Sequence, residues 1–312
     1  MGNYLNPDNS KFQRAVNSDI YVDKTGLIKY TNRVINTMQA YVCVSRPRRF
    51  GKSMAADMLT AYYSRGCDSR ELFAGLEIAE DKNFTRYLNK YDTIFLNVQE
   101  FLSRSSNVQE LLTRIKQRVI RELARLYPDV ELFDPEDLAE TMQDIYAESK
   151  CPFILIIDEW DCIFRVHKSD AVSQKDYLDF LRNLLKDKSY IALAYMTGIL
   201  PIKKYGEHSA INVFYEYSMT DASPIEEFTG FTEQEVRQLC EQYNMPFSET
   251  KKWYDGYKIG NTEGIYNPWS ILNYLKNKEL IPYWVNTSSN DLIKLILKNS
   301  ATVKEKIEQL LR

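Results

Sequence analysis

Histidine is nearly missing: the 312 residues hold two, His167 and His208. Neither has a ligand-spaced partner, so a histidine-rich metal site is excluded. Glycine is scarce at 11, which removes collagen-like and linker-like readings. There is no excess of positive charge. Lys and Arg total 40 against 43 Asp and Glu, a net charge of −3. A generally basic nucleic-acid binder is therefore unsupported, though a local basic patch is not ruled out. Long apolar runs are absent as well. The longest, at residues 153–157 and 190–196, fall far below the roughly 18 residues of a membrane span, so no membrane partner is expected. Residues 1–11 show no apolar stretch and no signal-peptide shape. Five cysteines, odd in number and widely spaced, read as reduced thiols of a cytoplasmic protein.

Apolar residues make up 44% of the chain, enough to bury one large core and a smaller one. Strand-like and helix-like stretches alternate. Residues 40–45, 91–98, 152–158 and 190–197 read as buried strands, with a weaker one at 212–218. Residues 52–64, 107–126, 135–148 and 173–185 read as helices. Short apolar strands separated by helices predict a parallel sheet covered on both faces. The character changes near residue 222. Short helices are expected at 233–243, 248–253, 269–275, 291–298 and 302–311, with turns at Asp255-Gly256 and Asn267-Pro268. The expected fold is α/β, a P-loop NTPase three-layer sandwich over residues 1–222. A smaller, mainly helical domain follows at 223–312, a lid or winged-helix-like module.

The segment Ser45-Arg46-Pro47-Arg48-Arg49-Phe50-Gly51-Lys52-Ser53-Met54 lies between a strand and a helix. Gly51-Lys52-Ser53 matches the end of a phosphate-binding loop. Gly51 lets backbone N–H groups close on phosphates, Lys52 reaches the β- and γ-phosphates, and Ser53 offers its hydroxyl to Mg²⁺. The helix N-terminus adds about half a positive charge. Residues Arg48 to Met54 are thus the expected nucleotide-binding stretch. The usual first glycine of such a loop falls at Arg46, where the backbone geometry is costly for other residues. Arg46, Arg48 and Arg49 either contact phosphate or pair with acidic groups of another subunit.

Residues 153–157 end in Asp158-Glu159. An apolar strand ending in two carboxylates is a Walker B arrangement. Asp158 would hold Mg²⁺ through its water shell, and Glu159 would orient the attacking water. Taken alone, this is an ordinary solvated turn after a core strand; Gly51-Lys52-Ser53 upstream changes that. A third apolar strand ends at Thr197-Gly198. Thr197 is either a sensor of the γ-phosphate, in a strand inserted between the other two, or a satisfied strand-end hydroxyl.

Three groups of residues resemble the bacterial predicted AAA-ATPase-like family: Tyr21-Val22-Asp23-Lys24-Thr25, Arg46 through Ser53, and Ile157-Asp158-Glu159-Trp160-Asp161. The later segments Phe228-Thr229-Gly230-Phe231-Thr232, Trp253-Tyr254-Asp255-Gly256-Tyr257 and Tyr266-Asn267-Pro268-Trp269-Ser270 agree. The similarity spans about residues 12–298 and is specific as a set. It implies an AAA-like ATPase core using ATP and Mg²⁺, with Arg usual at the position of Arg46. Many members carry a PD-(D/E)xK nuclease-like domain after the ATPase. No acidic cluster followed by Glu-x-Lys occurs in the last 90 or so residues, so nuclease activity is not expected of this chain.

Other residues carry weaker signals. Asp23 and Lys24 either line an adenine site or precede a helix at 26–32 capped by Thr25. Arg165, Lys203 and Lys204 are either charges for a γ-phosphate in trans or solvated surface groups. Trp253, Tyr254, Tyr257, Tyr266 and Trp269 pack a small core or stack on bases. Three activities fit. They are an ATPase driving a conformational change, a slow or non-hydrolysing switch, and, less well matched, a small-molecule kinase. A protein partner or self-association is left open.

Overall fold

The computed structural model describes residues 2–202 and 211–284. Seven strands occur among them: β1 (Tyr41–Ser45), β2 (Asp92–Asn97), β3 (Phe153–Asp158), β4 (Ile191–Gly198), β5 (Tyr215–Tyr217), β6 (Tyr257–Ile259) and β7 (Thr262–Ile265). Before β2 lie helices α1 (Ser10–Val16), α2 (Gly26–Val34), α3 (Lys52–Tyr63), α4 (Arg70–Phe73) and α5 (Phe84–Tyr87). Between β2 and β4 lie α6 (Val98–Ser103), α7 (Val108–Leu126), α8 (Leu138–Ser149), α9 (Cys162–Val166) and α10 (Ala171–Leu185). After β5 come α11 (Glu233–Gln242), α12 (Phe247–Tyr254) and α13 (Pro268–Asn277).

The first five strands form one parallel sheet in the order β2-β3-β4-β1-β5. It is buried on both faces because its strands are apolar on both sides. Phe153, Leu155 and Ile157 of β3 join a core with α7, α8 and α10. Ile154 and Ile156 point the other way, into a core with α1, α2 and α3. Each such Ile or Leu contributes roughly 1.5–3 kcal/mol. A one-residue slip would exchange one apolar face for the other, so apolarity alone pins the register weakly. A polar strand end adds a constraint: Asn97 pairs in register with Asp158. The fold is the expected α/β three-layer sandwich, with β4 inserted between the loop strand β1 and the acidic strand β3. The long helices begin where side chains can cap them. Asn107, Asp137 and Asp170 accept first-turn amide hydrogen bonds at the starts of α7, α8 and α10.

The mainly helical segment after residue 222 also holds an antiparallel hairpin, β6–β7, directly after the expected turn at Asp255-Gly256. Thr25 does not cap α2 with its side chain. Its Oγ1 instead accepts from the Ile78 amide at 3.1 Å, and the Asp23 carboxylate takes the Thr25 amide at 2.8 Å. The helices expected at 291–298 and 302–311, with Lys203, Lys204 and His208, lie outside the described residues. Residues 231–275 have a core of their own around Phe231, Val236, Tyr254, Tyr266 and Tyr274.

Candidate nucleotide site

In a parallel sheet all C-terminal strand ends share one edge, and here that edge carries Ser45, Asn97, Asp158 and Gly198. α3 starts at the same edge. Gly51 precedes it at φ +85°, the left-handed region that glycine enters without steric cost. The helix N-terminus therefore faces the acidic strand end. Between them lies a cleft of about 600 Å³ bordered by Arg48, Arg49, Gly51, Lys52, Ser53, Met54, Asn97, Glu159 and Arg165. Six residues of the expected nucleotide-binding stretch and one expected catalytic carboxylate thus meet in one place. Another cavity, about 570 Å³ around Lys11, Asp57 and Glu122, shares none of these residues.

Lys52 is 5% exposed, and its ammonium donates to the Pro47 carbonyl at 2.9 Å. Burial pulls its pKa down, while Glu159 and Asp158 oppose that shift. Asp158 is 1% exposed, so its carboxylate needs donors. Asn97 Nδ2 supplies one at 3.2 Å and the Thr197 hydroxyl another. The Thr197 hydroxyl thus ties the tip of β4 to that of β3. Glu159 sits at φ +56° directly after β3. Its carboxylate pairs with Arg165. Burial raises its pKa, and the Arg165 charge partly offsets this.

The basic loop behaves differently from the expectation. Arg46 does not face the cleft. It is fully buried, with Nε on Thr229 Oγ1 at 3.0 Å and Nη1 on the carbonyls of Ser45 at 2.9 Å and Tyr217 at 2.6 Å. Nor does it occupy a left-handed backbone; Arg49, at φ +67°, and Gly51 do. Arg49 lays its guanidinium on the Trp269 ring, 3.8 Å from the centroid. The Arg48 carbonyl accepts from Asn267 Nδ2 at 3.4 Å. The side chain of Phe50 is buried against Ala222, Ile259 and Ile265, and its carbonyl accepts the Gly230 amide at 2.9 Å.

Arg165 is not the solvated surface charge that its position suggested: its side chain is 13% exposed. Asn97 was overlooked, although it ends an apolar strand just as Asp158 and Thr197 do. Of the aromatic group, Tyr254 and Tyr266 are core residues, whereas Trp269 and Tyr257 meet Arg49 and Phe50. Lys24 pairs with Glu235 at 2.6 Å and caps the Glu227 carbonyl at 2.7 Å. Beside it, Phe12, Val22, Met54, Met58, Phe231 and Leu272 border an apolar slot of about 190 Å³ that adjoins the loop at Gly51.

The chain is 24% identical over 302 residues to an uncharacterized protein in the vnfD 5′ region of Azotobacter chroococcum mcd 1, covering 93% of this chain and 55% of that one. It thus spans about half the length of this curated relative. Among solved structures, it is similar to the Aeropyrum pernix ORC2 protein in ADPNP–ADP complexes, at TM-score 0.38 and 12% identity, over 73% of this chain and 55% of that one. It is also similar to a DNA replication initiation factor, at TM-score 0.37 and 12% identity, over 96% and 69%. A family model described as Predicted AAA-ATPase matches residues 10–206, nearly two thirds of the sequence. The chain belongs to that predicted AAA-ATPase family.

Proposed function

We propose that the cleft binds ATP with Mg²⁺ and that the chain hydrolyses it to ADP and phosphate, using the change to move the segment beyond residue 222. The observation carrying this reading is the meeting of Lys52 and Ser53, at a helix N-terminus, with Glu159 across a single cleft, Asp158 being buried at the end of β3 directly before Glu159. Backbone amides from Arg48 to Met54 and the Lys52 ammonium would cradle the phosphates. Ser53 and Asp158 would hold the magnesium ion, which supplies neutralisation of phosphate charge. The residues fit the ion: Asp158 is a buried carboxylate already oriented by Asn97 and Thr197. Glu159 would accept the hydrogen bond of the attacking water. The apolar slot next to Gly51 suits a base, with Lys24 at its rim. Residues 223–312 would act as a lid, since Thr229, Gly230, Asn267 and Trp269 all touch the loop.

A second reading, a nucleotide switch with little turnover, is favoured by one feature: the Glu159 carboxylate is already engaged by Arg165. Calorimetric titration with ATP and Mg²⁺, together with phosphate release, tests both. Lys52→Ala removes charge-assisted bonds of roughly 1.5–3 kcal/mol each, so affinity should fall about 10- to 100-fold. Equal affinity of variant and parent would sink the nucleotide reading. Tight binding without phosphate release would replace the enzyme by the switch.

A further inference from the structure

We infer that Arg165 is the positioning residue for Glu159, holding that carboxylate toward the cleft; this rests on the nucleotide reading above. Arg165 is the fourth residue of α9, seven residues beyond Asp158 at the end of β3. Its guanidinium is a fork with one arm anchored and one arm working. Nε donates to Asp161 Oδ2 at 3.1 Å. Nη2 donates to Glu159 Oε2. The anchor is itself fixed: Asp161 is fully buried, and Oδ2 also accepts the amides of Ile199 at 3.1 Å and Leu200 at 2.9 Å. These amides directly follow Thr197-Gly198 at the end of β4.

The chain of contacts therefore runs from the tip of β4 through Asp161 and Arg165 to Glu159. A planar guanidinium can span two carboxylates at fixed spacing; an ammonium cannot do so with the same geometry. Glu159 needs such a holder. Its backbone is in the left-handed region, which non-glycine residues enter at a cost and keep only where surrounding contacts hold them, and the Arg165 pair is one such contact. Pairing through Oε2 leaves Oε1 to accept a hydrogen bond from water. Both Glu159 and Arg165 border the cleft, so the pair stands where an attacking water would sit. A guanidinium in this place also means that the charge acts in cis, from the same chain as the phosphate loop.

The test uses the full chain with Arg165→Gln, Arg165→Lys, Glu159→Gln and the double variant Glu159→Gln/Arg165→Gln. Single-turnover ATP hydrolysis and calorimetric ATP affinity are measured for each. Arg165→Gln should keep ATP affinity within a few-fold and slow hydrolysis by about 10²-fold, the effect of misplacing a catalytic group. The double variant should be no slower than Glu159→Gln alone, because the two residues act as a unit. Arg165→Lys should recover part of the lost rate. Parental hydrolysis in Arg165→Gln, or additive losses in the double variant, would overturn the assignment. Urea unfolding of the same four proteins gives a readout independent of turnover. The midpoint loss from Arg165→Gln should shrink in the Glu159→Gln background, and an undiminished loss would overturn the coupling. A parent that binds no ATP defeats the nucleotide reading instead, and leaves the unfolding cycle to decide the pair.

Discussion

Replacing Arg46 by Met tests whether a buried cation or its bonds dominate at the root of the phosphate loop. Two effects oppose each other. Burial pushes the guanidinium pKa down to about 10 from 12.5, against Tyr195, Glu226 and Cys43, which raise it; the net penalty on the charged form is on the order of 3 kcal/mol. Against this stand three donated bonds, to Thr229, Ser45 and Tyr217, each worth about 1.5–3 kcal/mol when the donor is charged. Their sum exceeds that penalty, although Nη2 finds no partner among the described residues. Methionine keeps much of the volume but leaves the Tyr217 and Ser45 carbonyls without this donor. The net expectation is a loss of about 2–4 kcal/mol, within the range for breaking a buried polar network. Urea unfolding at neutral pH reads it directly from the midpoint at unchanged slope. ATP affinity should fall as well, because the loop loses its tie to Thr229. A variant as stable as the parent, or more so, would show that desolvation outweighs the bonds and refute the reasoning.

The two carboxylates of the acidic strand end should separate: Glu159→Gln should keep ATP affinity while hydrolysis falls by roughly 10²–10⁴-fold, the range for a positioned general base, whereas Asp158→Asn should also weaken the Mg²⁺-dependent part of binding. Parental turnover in Glu159→Gln, followed by phosphate release, would remove that residue from the mechanism. Asp57 on α3 has its pKa raised to about 6 by burial, with Lys11 at 3.9 Å only partly compensating. Between about pH 4 and 6 the folded protein holds the Asp57 proton that the unfolded chain has lost, so stability falls as pH rises through that window; Asp57→Asn should remove the fall and gain on the order of 1–3 kcal/mol above pH 6, and parallel stability–pH curves would contradict this. Hydrogen exchange should show ATP-dependent protection in residues 226–277, measured on the full chain, and protection confined to the first 222 residues would count against a lid.

The parts of the fold visible in the sequence are those with one strong local cause. β1, β3 and β4 are short apolar runs long enough for a strand and too short for a helix, and each was placed to within a residue or two. α7 announces itself by apolar residues at helical spacing, Leu111, Leu112, Ile115, Val119 and Leu123, all of them buried. Asp158 and Glu159 stood out because two charges end an apolar run. The hairpin β6–β7 did not stand out: its strands have three and four residues, and its buried positions are Ile259 and Ile265 alone. Arg165 was misjudged for a related reason. Its burial comes from Glu159 and Asp161, six and four residues earlier, on a five-residue helix that has no apolar periodicity to read.

The same logic explains why the strand–loop–helix outline of the loop is legible in the sequence and its contacts are not. A phosphate-binding loop must present several amides outward at once, so its backbone cannot satisfy itself. Glycine-rich loops meet that demand with close turns. This loop has Gly51 alone, and residues 46, 48, 49 and 50 are each held by a contact from beyond residue 216: Tyr217 and Thr229 on Arg46, Asn267 on Arg48, Trp269 on Arg49, Gly230 on Phe50. Such support is invisible to a strand–loop–helix pattern, because it arrives from sequence positions more than 160 residues away. It also has a thermodynamic consequence. A ligand that shifts the loop must shift or strain those five contacts, and by linkage anything that moves the later segment must change ligand affinity by the same factor. Arg46 and Arg49, which look like phosphate ligands in the sequence, are the side chains by which the later segment grips the loop.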